Sequence, residues 1–240
     1  MSKPAGDGPW AVQGRLWHQL PPESTTRATR RGRSLLREVT GILLTAIVVS
    51  LLIKTVLVQA FFIPSASMEP TLHGCPGCAG DRVLVNKLTT HMGGVHRGDI
   101  VVFRDSAGWL GTASPTPSAQ SRVHDVLAFI GLSPATNEGD LVKRVIGVGG
   151  DTVEGKGGRV YVNGTQLNEP YVFPGNSPTQ VDFRVTVPAG KLWVMGDHRS
   201  ESADSRFHQR EPGKGFVPVA DVVGRAFVIV WPLDRAGSLG

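Results

Sequence analysis

Four short runs of this chain hold residue types that do chemistry. Phe61 to Leu72, FFIPSASMEPTL, places Ser65 and Ser67 between Pro64 and Pro70. Two prolines fix the backbone on either side, a turn able to hold a hydroxyl and a neighbouring N–H in set positions. Lys143 stands inside the apolar run LVKRVIGV, residues 141–148. Gly196 to Arg206, GDHRSESADSR, is dense in Ser, Asp and Arg, the types that form charge-assisted pairs. Cys75-Pro-Gly-Cys78 is the only cysteine pair. Taken singly, each has an ordinary reading. A serine beside proline is a turn residue, a strand lysine turns its amine to solvent, and a Ser/Asp/Arg run is a polar loop. The cysteines most simply make a local disulfide outside the reducing cytoplasm. A metal centre needs two further ligands, and His73, His91 and His96 follow no zinc spacing, so no metal is expected. No thioredoxin-like strand–helix–strand context surrounds the pair.

The elements that must position these residues are short strands. The 240 residues include 30 Gly and 17 Pro, which argues for turn-rich β structure over a helical bundle. The β-branched runs 82–87, 99–103, 141–148, 159–162, 183–187, 192–195 and 222–231 have strand length. Asn163-Gly164 after RVYV is a hairpin turn signal. Residues 106–122 read as a flexible Ser/Thr/Pro/Gly insertion, and 123–132 as a short helix within a variable segment of about 104–139. Val39 to Ile63 is 25 residues with Lys54 as its only charge, long enough for a transmembrane helix and longer than the apolar region of a cleaved leader. Residues 1–38, with seven basic and three acidic side chains, carry an excess of four of the chain's net five positive charges. That arm reads as disordered, and its position before the span keeps it cytoplasmic, with residues 64–240 outside. Charge gathered there, and not along a folded face, excludes nucleic acid as the partner. An anionic lipid surface suits it instead.

Five blocks together resemble the type I signal peptidases, membrane-anchored proteases with a Ser–Lys dyad. They are FFIPSASMEPTL, GDRVLVNK (80–87), RGDIVVF (97–103), KRVIGVGGD (143–151) and GDHRSESADSR, in family order behind a suitable anchor. The resemblance covers 61–231 and implies an antiparallel, mainly β catalytic domain behind one N-terminal helix. It implies Ser67 as nucleophile, Lys143 as general base, Ser65 as an oxyanion-hole hydroxyl and Ser202 as the group holding the Lys143 amine. Asp197, Asp204, Arg206 and Arg144 match the family's structural polar residues. The groove matches Phe61, Ile63, Met68, Leu72, Val102, Leu141 and Val142, which suits small-x-small cleavage sites in exported preproteins. No cofactor is implied. The partners would be signal peptides, membrane lipid and, indirectly, the export machinery, at the plasma membrane with a single pass. His198 stands where the family more often has Asn, and Gly149-Gly150 where it often has Pro-Gly. A dyad lysine works only if the apolar neighbours Val142, Val145 and Ile146 desolvate it.

Overall fold

The computed structural model describes residues 37–50, 57–75, 78, 80–88, 94–106, 108–110 and 139–239. Two compact units divide the chain, Met1–Val48 and Val49–Gly240. Residues 37–50 are helical with exposed side chains, Ile42, Leu43 and Leu44 among them. Among the described residues no helix is long and apolar enough to cross a membrane. Residues 1–36 of the expected disordered arm, the insertion beyond residue 110 and the helix at 123–132 lie outside the described residues, while residues 37 and 38 of the arm are helical.

The second unit is built from antiparallel strands: β1 (Val58–Phe62), β2 (Arg82–Asn86), β3 (Ile100–Arg104), β4 (Asp140–Val148), β5 (Thr152–Lys156), β6 (Arg159–Val162), β7 (Thr165–Gln166), β8 (Phe183–Thr186), β9 (Lys191–Met195), β10 (Val217–Pro218), β11 (Val222–Trp231) and β12 (Gly237–Ser238). An 8-stranded sheet runs β1-β2-β11-β3-β4-β9-β10, with β12 on β11, and a 4-stranded sheet runs β7-β6-β5-β8. Period-2 alternation splits β3 between two cores. Ile100 and Val102 join Phe61, Ile63, Met68, Leu72, Val83 and Val85, whereas Val101 and Phe103 join Val145, Leu192 and Val194. A third core joins the small sheet to Ile146, Trp193 and Met195. Asn163 and Gly164 take positive φ of 51° and 82° between β6 and β7, the two-residue hairpin turn expected of Asn-Gly.

All seven expected strands form, with ends shifted by a residue or two. One reading is corrected. The apolar run 39–63 was expected to be helical throughout, yet residues 58–62 are β1, paired residue for residue with β2 from Val58↔Asn86 to Phe62↔Arg82. An uninterrupted apolar run carries no period to separate helix from buried strand, and Val58, Phe61 and Phe62 favour the latter. Strand β5 escaped notice because TVEGK mixes charge and glycine. Gly155 is there because a Cβ would meet the Phe183 ring at 2.4 Å.

The turn after β4 is pinned by Asp151. Its carboxylate accepts from Arg97 Nε and an Arg97 terminal nitrogen at 2.7 and 2.6 Å, from Val148 N at 2.9 Å and from Asn163 Nδ2 at 2.9 Å. Burial alone would push this carboxyl up, but Arg97, Val148 and Asn163 together hold it below its ordinary value. Such a group stabilises the fold above its unfolded pKa of ~3.9 and loses that contribution as pH falls through the lower folded value. Arg97 is half exposed, so solvent screening keeps the ionic share small. Asp151→Ala should therefore cost about 1–3 kcal/mol at pH 7 and less at pH 3. Urea unfolding at the two pH values measures this, and an equal loss at both would contradict it.

Candidate active site

Ser67 lies in a single 3-10 turn, Ala66–Met68, directly after β1. Buried Met68 and Leu72 anchor the turn, and Leu72 N donates to Met68 O at 2.9 Å. At its entrance Ile63 N donates to Asp81 O at 2.9 Å, and the Asp81 carboxylate accepts from His73 N and from Arg235. Glycine is required at 74, where a Cβ would fall 2.5 Å from Ile63 O and 2.8 Å from Ser65 N. The far side is fixed by His198 N, which donates to Ser67 O at 3.1 Å. The proline-flanked segment is thus held by backbone at both ends.

Lys143 reaches this turn from β4, where it stands opposite Val101 of β3. Its Nζ donates to Ser67 Oγ at 2.8 Å and to Val142 O at 3.1 Å. The residue is 3% exposed, and Ser67 is buried beside it. Burial brings the amine down to about 8, against the pull of Asp204 and Asp197, whose charges favour the protonated form. Ser65 Oγ sits 3.2 Å from Ser67 Oγ on the exposed side.

Behind the pair lies a polar floor. Arg144 donates to both oxygens of Asp197 at 2.8 and 2.7 Å, and Thr71 Oγ1 adds a bond of 2.6 Å. Arg206 makes the same fork on Asp204 with two bonds of 2.8 Å, while Gly196 N donates to Asp204 at 3.0 Å. Ser202 is buried next to these groups, but its Oγ makes no hydrogen bond to Lys143. The expected tether is therefore absent, and the second contact of Nζ is the Val142 carbonyl. Residue 196 must be glycine, since a Cβ would come within 2.2 Å of Ser202 Oγ and 2.4 Å of Ser67 O.

Residues outside the expected set complete the floor. Arg199, fully buried, donates to Gly196 O at 2.9 Å and to Glu169 at 2.5 Å. The Tyr171 ring packs against two guanidinium groups, with Arg144 at 4.0 Å and Arg199 at 5.9 Å from its centroid. Phe173 stacks on the His198 ring at 4.0 Å, and Phe173 N donates to Asp197 O. Burial pushes both the Glu169 carboxyl and the Tyr171 phenol up. The NEPYVFPGN stretch that supplies Glu169, Tyr171 and Phe173 has no strand or helix period, and three aromatic and acidic residues within one turn are the only signal it carries.

A cleft of about 310 Å³ opens in front of the Ser67–Lys143 pair. Phe61, Ile63, Met68, Val102, Leu141 and Val142 line it as expected, and Phe62, Pro64 and Leu110 line it as well. Leu72 does not, being wholly buried in the core beneath the turn. Cys75 and Cys78 are joined in the expected disulfide. His73 lies within 4.8 Å of both sulfurs, but bonded sulfurs offer no thiolate to a metal.

The family model described as signal peptidase, peptidase S26, matches residues 36–231. A probable signal peptidase I of Mycobacterium leprae (strain TN) is 40% identical over 233 residues, covering 87% of this chain and 80% of that protein. Signal peptidase I of Mycobacterium tuberculosis (strain ATCC 25618 / H37Rv) is 43% identical over 223 residues, 85% of this chain and 76% of that protein. Signal peptidase I of Leptolyngbya laminosa is 35% identical over 223 residues, 92% of this chain and 93% of that protein.

The buried amine makes a prediction that needs no substrate. A lysine whose folded pKa lies below its unfolded value binds fewer protons in the fold, so stability rises with pH between about 8 and 10.5. At pH 7 Lys143 opposes folding. Lys143→Met, close in shape and without the charge, should raise stability at pH 7 by about 1–3 kcal/mol and flatten that rise. Chemical unfolding at pH 7, 9 and 10.5 reads it out. A variant that is less stable than wild type at pH 7 would show that the amine is not desolvated.

Proposed function

The chain belongs to the signal peptidase family, peptidase S26, and is a hydrolase of the signal peptidase I kind. From that premise we propose that it is a membrane-anchored endopeptidase that removes signal peptides after small-x-small sites, with Ser67 as nucleophile and Lys143 as base. One observation carries the mechanism: a buried lysine amine, brought down to about 8, at 2.8 Å from a serine hydroxyl in an apolar cleft. At pH 7 a pKa of 8 leaves about a tenth of the amine neutral, whereas an unshifted lysine would leave less than about a thousandth. The lone pair needed for proton abstraction is therefore present without a histidine.

Neutral Lys143 takes the Ser67 Oγ proton as the oxygen attacks the scissile carbonyl. The developing oxyanion is met by the Ser67 backbone N–H and the Ser65 hydroxyl. Collapse breaks the peptide bond, Lys143 returns the proton to the leaving amine, and the signal peptide remains as an ester on Ser67. Water then attacks that ester as Lys143 takes its proton, and Lys143 returns the proton to the Ser67 oxygen as it leaves. Arg144–Asp197 and Arg206–Asp204 fix the floor, and burial of the amine outweighs the pull of the two carboxylates. Ser202 packs against Gly196 in that floor.

The substrate lies extended along β4. β3 takes one edge of β4 from Asp140 to Arg144 and β9 takes the other only from Arg144 to Val148, so the second edge of Leu141–Lys143 is available beside the cleft for strand addition. Alternate side chains, −1 and −3, then point between Phe61, Ile63, Met68, Val102 and Val142, where crowding favours alanine. The anchor is the apolar run before β1. Val39 to Leu57 is still 19 residues, within the range that spans a bilayer, and residues 37–50 are already helical. The basic residues preceding it place the N-terminus in the cytoplasm and the catalytic unit outside, among anionic lipid and preproteins delivered by the export machinery.

Ser67→Ala and Lys143→Ala should each abolish preprotein cleavage in detergent with the fold retained, and the double variant should lose no more. Ser65→Ala should slow it on the order of ten- to a thousandfold. The rate should rise with pH through about 8, since the base is occupied below its pKa, and His198→Ala should keep that limb. An acidic limb that disappears with His198 would transfer the base role to it. Exchange of Ala for Phe at −1 of the substrate should remove cleavage, and equal rates for the two would refute the crowded pocket.

A further inference from the structure

Beyond Arg104 the chain leaves β3 as a short arm that is tied down at three points. Asp105 N donates to Gly139 O at 2.8 Å, which closes the neck between β3 and β4. The Asp105 carboxylate accepts from Trp109 N at 2.8 Å and Leu110 N at 2.7 Å, and Ser106 Oγ donates to the Asp221 carboxylate. The indole of Trp109 is held between two rings. Phe103 meets it edge-on at 5.7 Å, and buried His208 lies parallel to it at 4.4 Å with an interplanar angle of 3°. His208 is itself fixed through Nδ1, 2.7 Å from Glu211 Oε1. Stacking of this kind has a preferred geometry as well as buried area, so it sets the direction in which the arm points.

What the arm presents is Leu110. It is 48% exposed, lines the cleft together with Asp140 and Leu141, and is tied through Asp105 to Gly139, directly before β4. An isolated exposed leucine is ordinary. A leucine locked at the mouth of an apolar cleft by an Asp-closed turn and an aromatic stack is not. Asp140 precedes Lys143 by three residues of β4, roughly 10 Å at 3.3 Å per residue. A substrate strand with its scissile carbonyl at Ser67 therefore passes Leu110 with its fourth or fifth residue. Secretory signals carry their apolar stretch on the upstream side of the small-residue cleavage site, so an apolar wall there matches residues before the cut and not after it.

We infer that Leu110, positioned by the Trp109–His208 stack, is a specificity-determining contact that selects apolar side chains at −4 and −5 of the substrate. This rests on reading the cleft as the signal-peptide groove. Burial of a leucine side chain against such a wall is enough to favour it about tenfold in kcat/KM over serine. The test uses the full chain in detergent with precursors that share Ala at −3 and −1 and carry Leu-Leu or Ser-Ser at −5 and −4. A further precursor carries Leu-Leu at +4 and +5. Wild type should prefer Leu-Leu upstream about tenfold and be indifferent to it downstream. Leu110→Gln, and separately Trp109→Ala and His208→Ala, should bring the upstream ratio close to one while Ala is still preferred to Phe at −1. A ratio that survives Leu110→Gln overturns the inference. So does a preference on the downstream side, or a loss of discrimination at −1 in step with the upstream ratio, which would mark general damage to the groove. Failure of wild type to cleave any precursor would instead overturn the parent reading, and this inference with it.

Discussion

A lysine amine kept out of water next to a serine hydroxyl is the constraint around which the rest of this unit is arranged. Ionised groups resist burial, so an amine in an apolar site either loses its proton or destabilises the fold. Here two carboxylates stand close enough to favour the charged form, yet the pKa still falls to about 8. Both acids are themselves partnered. Asp197 is forked by Arg144 and Asp204 by Arg206, and bidentate pairs of this kind leave little unbalanced negative charge to reach the amine. Desolvation is the larger effect and outweighs the pull of both acids.

That balance requires several chain segments to meet within a few ångströms. β4 supplies Lys143 and Arg144 as neighbours, one to the cleft and one to the floor. The turn after β1 supplies Ser67, and the 196–206 loop carries both acids and, through His198 N, holds the carbonyl of Ser67 itself. The 169–173 segment closes the floor from below, with Tyr171 against Arg144 and Phe173 against His198. Glycine at 74 and 196 lets backbones approach where a methyl group would collide. Core packing does the coarse work, since Met68 and Leu72 below the turn and Val101 opposite Lys143 belong to buried clusters that fix both elements. Leu72 illustrates the division: it stabilises the turn that carries the nucleophile without meeting the cleft.

Much of this was legible in order and type. Strands such as RVYV and VVGRAFVIVW are marked by β-branched runs, Asn163-Gly164 by the left-handed backbone a two-residue hairpin demands, and the Ser67–Lys143 pair by its resemblance to a known set of blocks. A CxxC turn in a chain with no other cysteine most simply makes a local disulfide, and Cys75 and Cys78 are so joined. What the sequence could not decide is where the apolar run 39–63 stops being helical, because hydrophobicity without a period fits a buried strand as well as a helix, and pairing with β2 settled residues 58–62. Nor could it reveal that Ser202 leaves the amine to the Val142 carbonyl, that Arg199, Glu169, Tyr171 and Phe173 build the floor, or that Leu110 reaches the cleft from an apparently loose insertion. Local propensity and spacing are properties of neighbouring residues. Hydrogen-bond partners 126 residues apart, as for Thr71 and Asp197, or 154 apart, as for Asp81 and Arg235, exist only once the sheets have formed, and it is there that burial brings an ordinary lysine down to about 8.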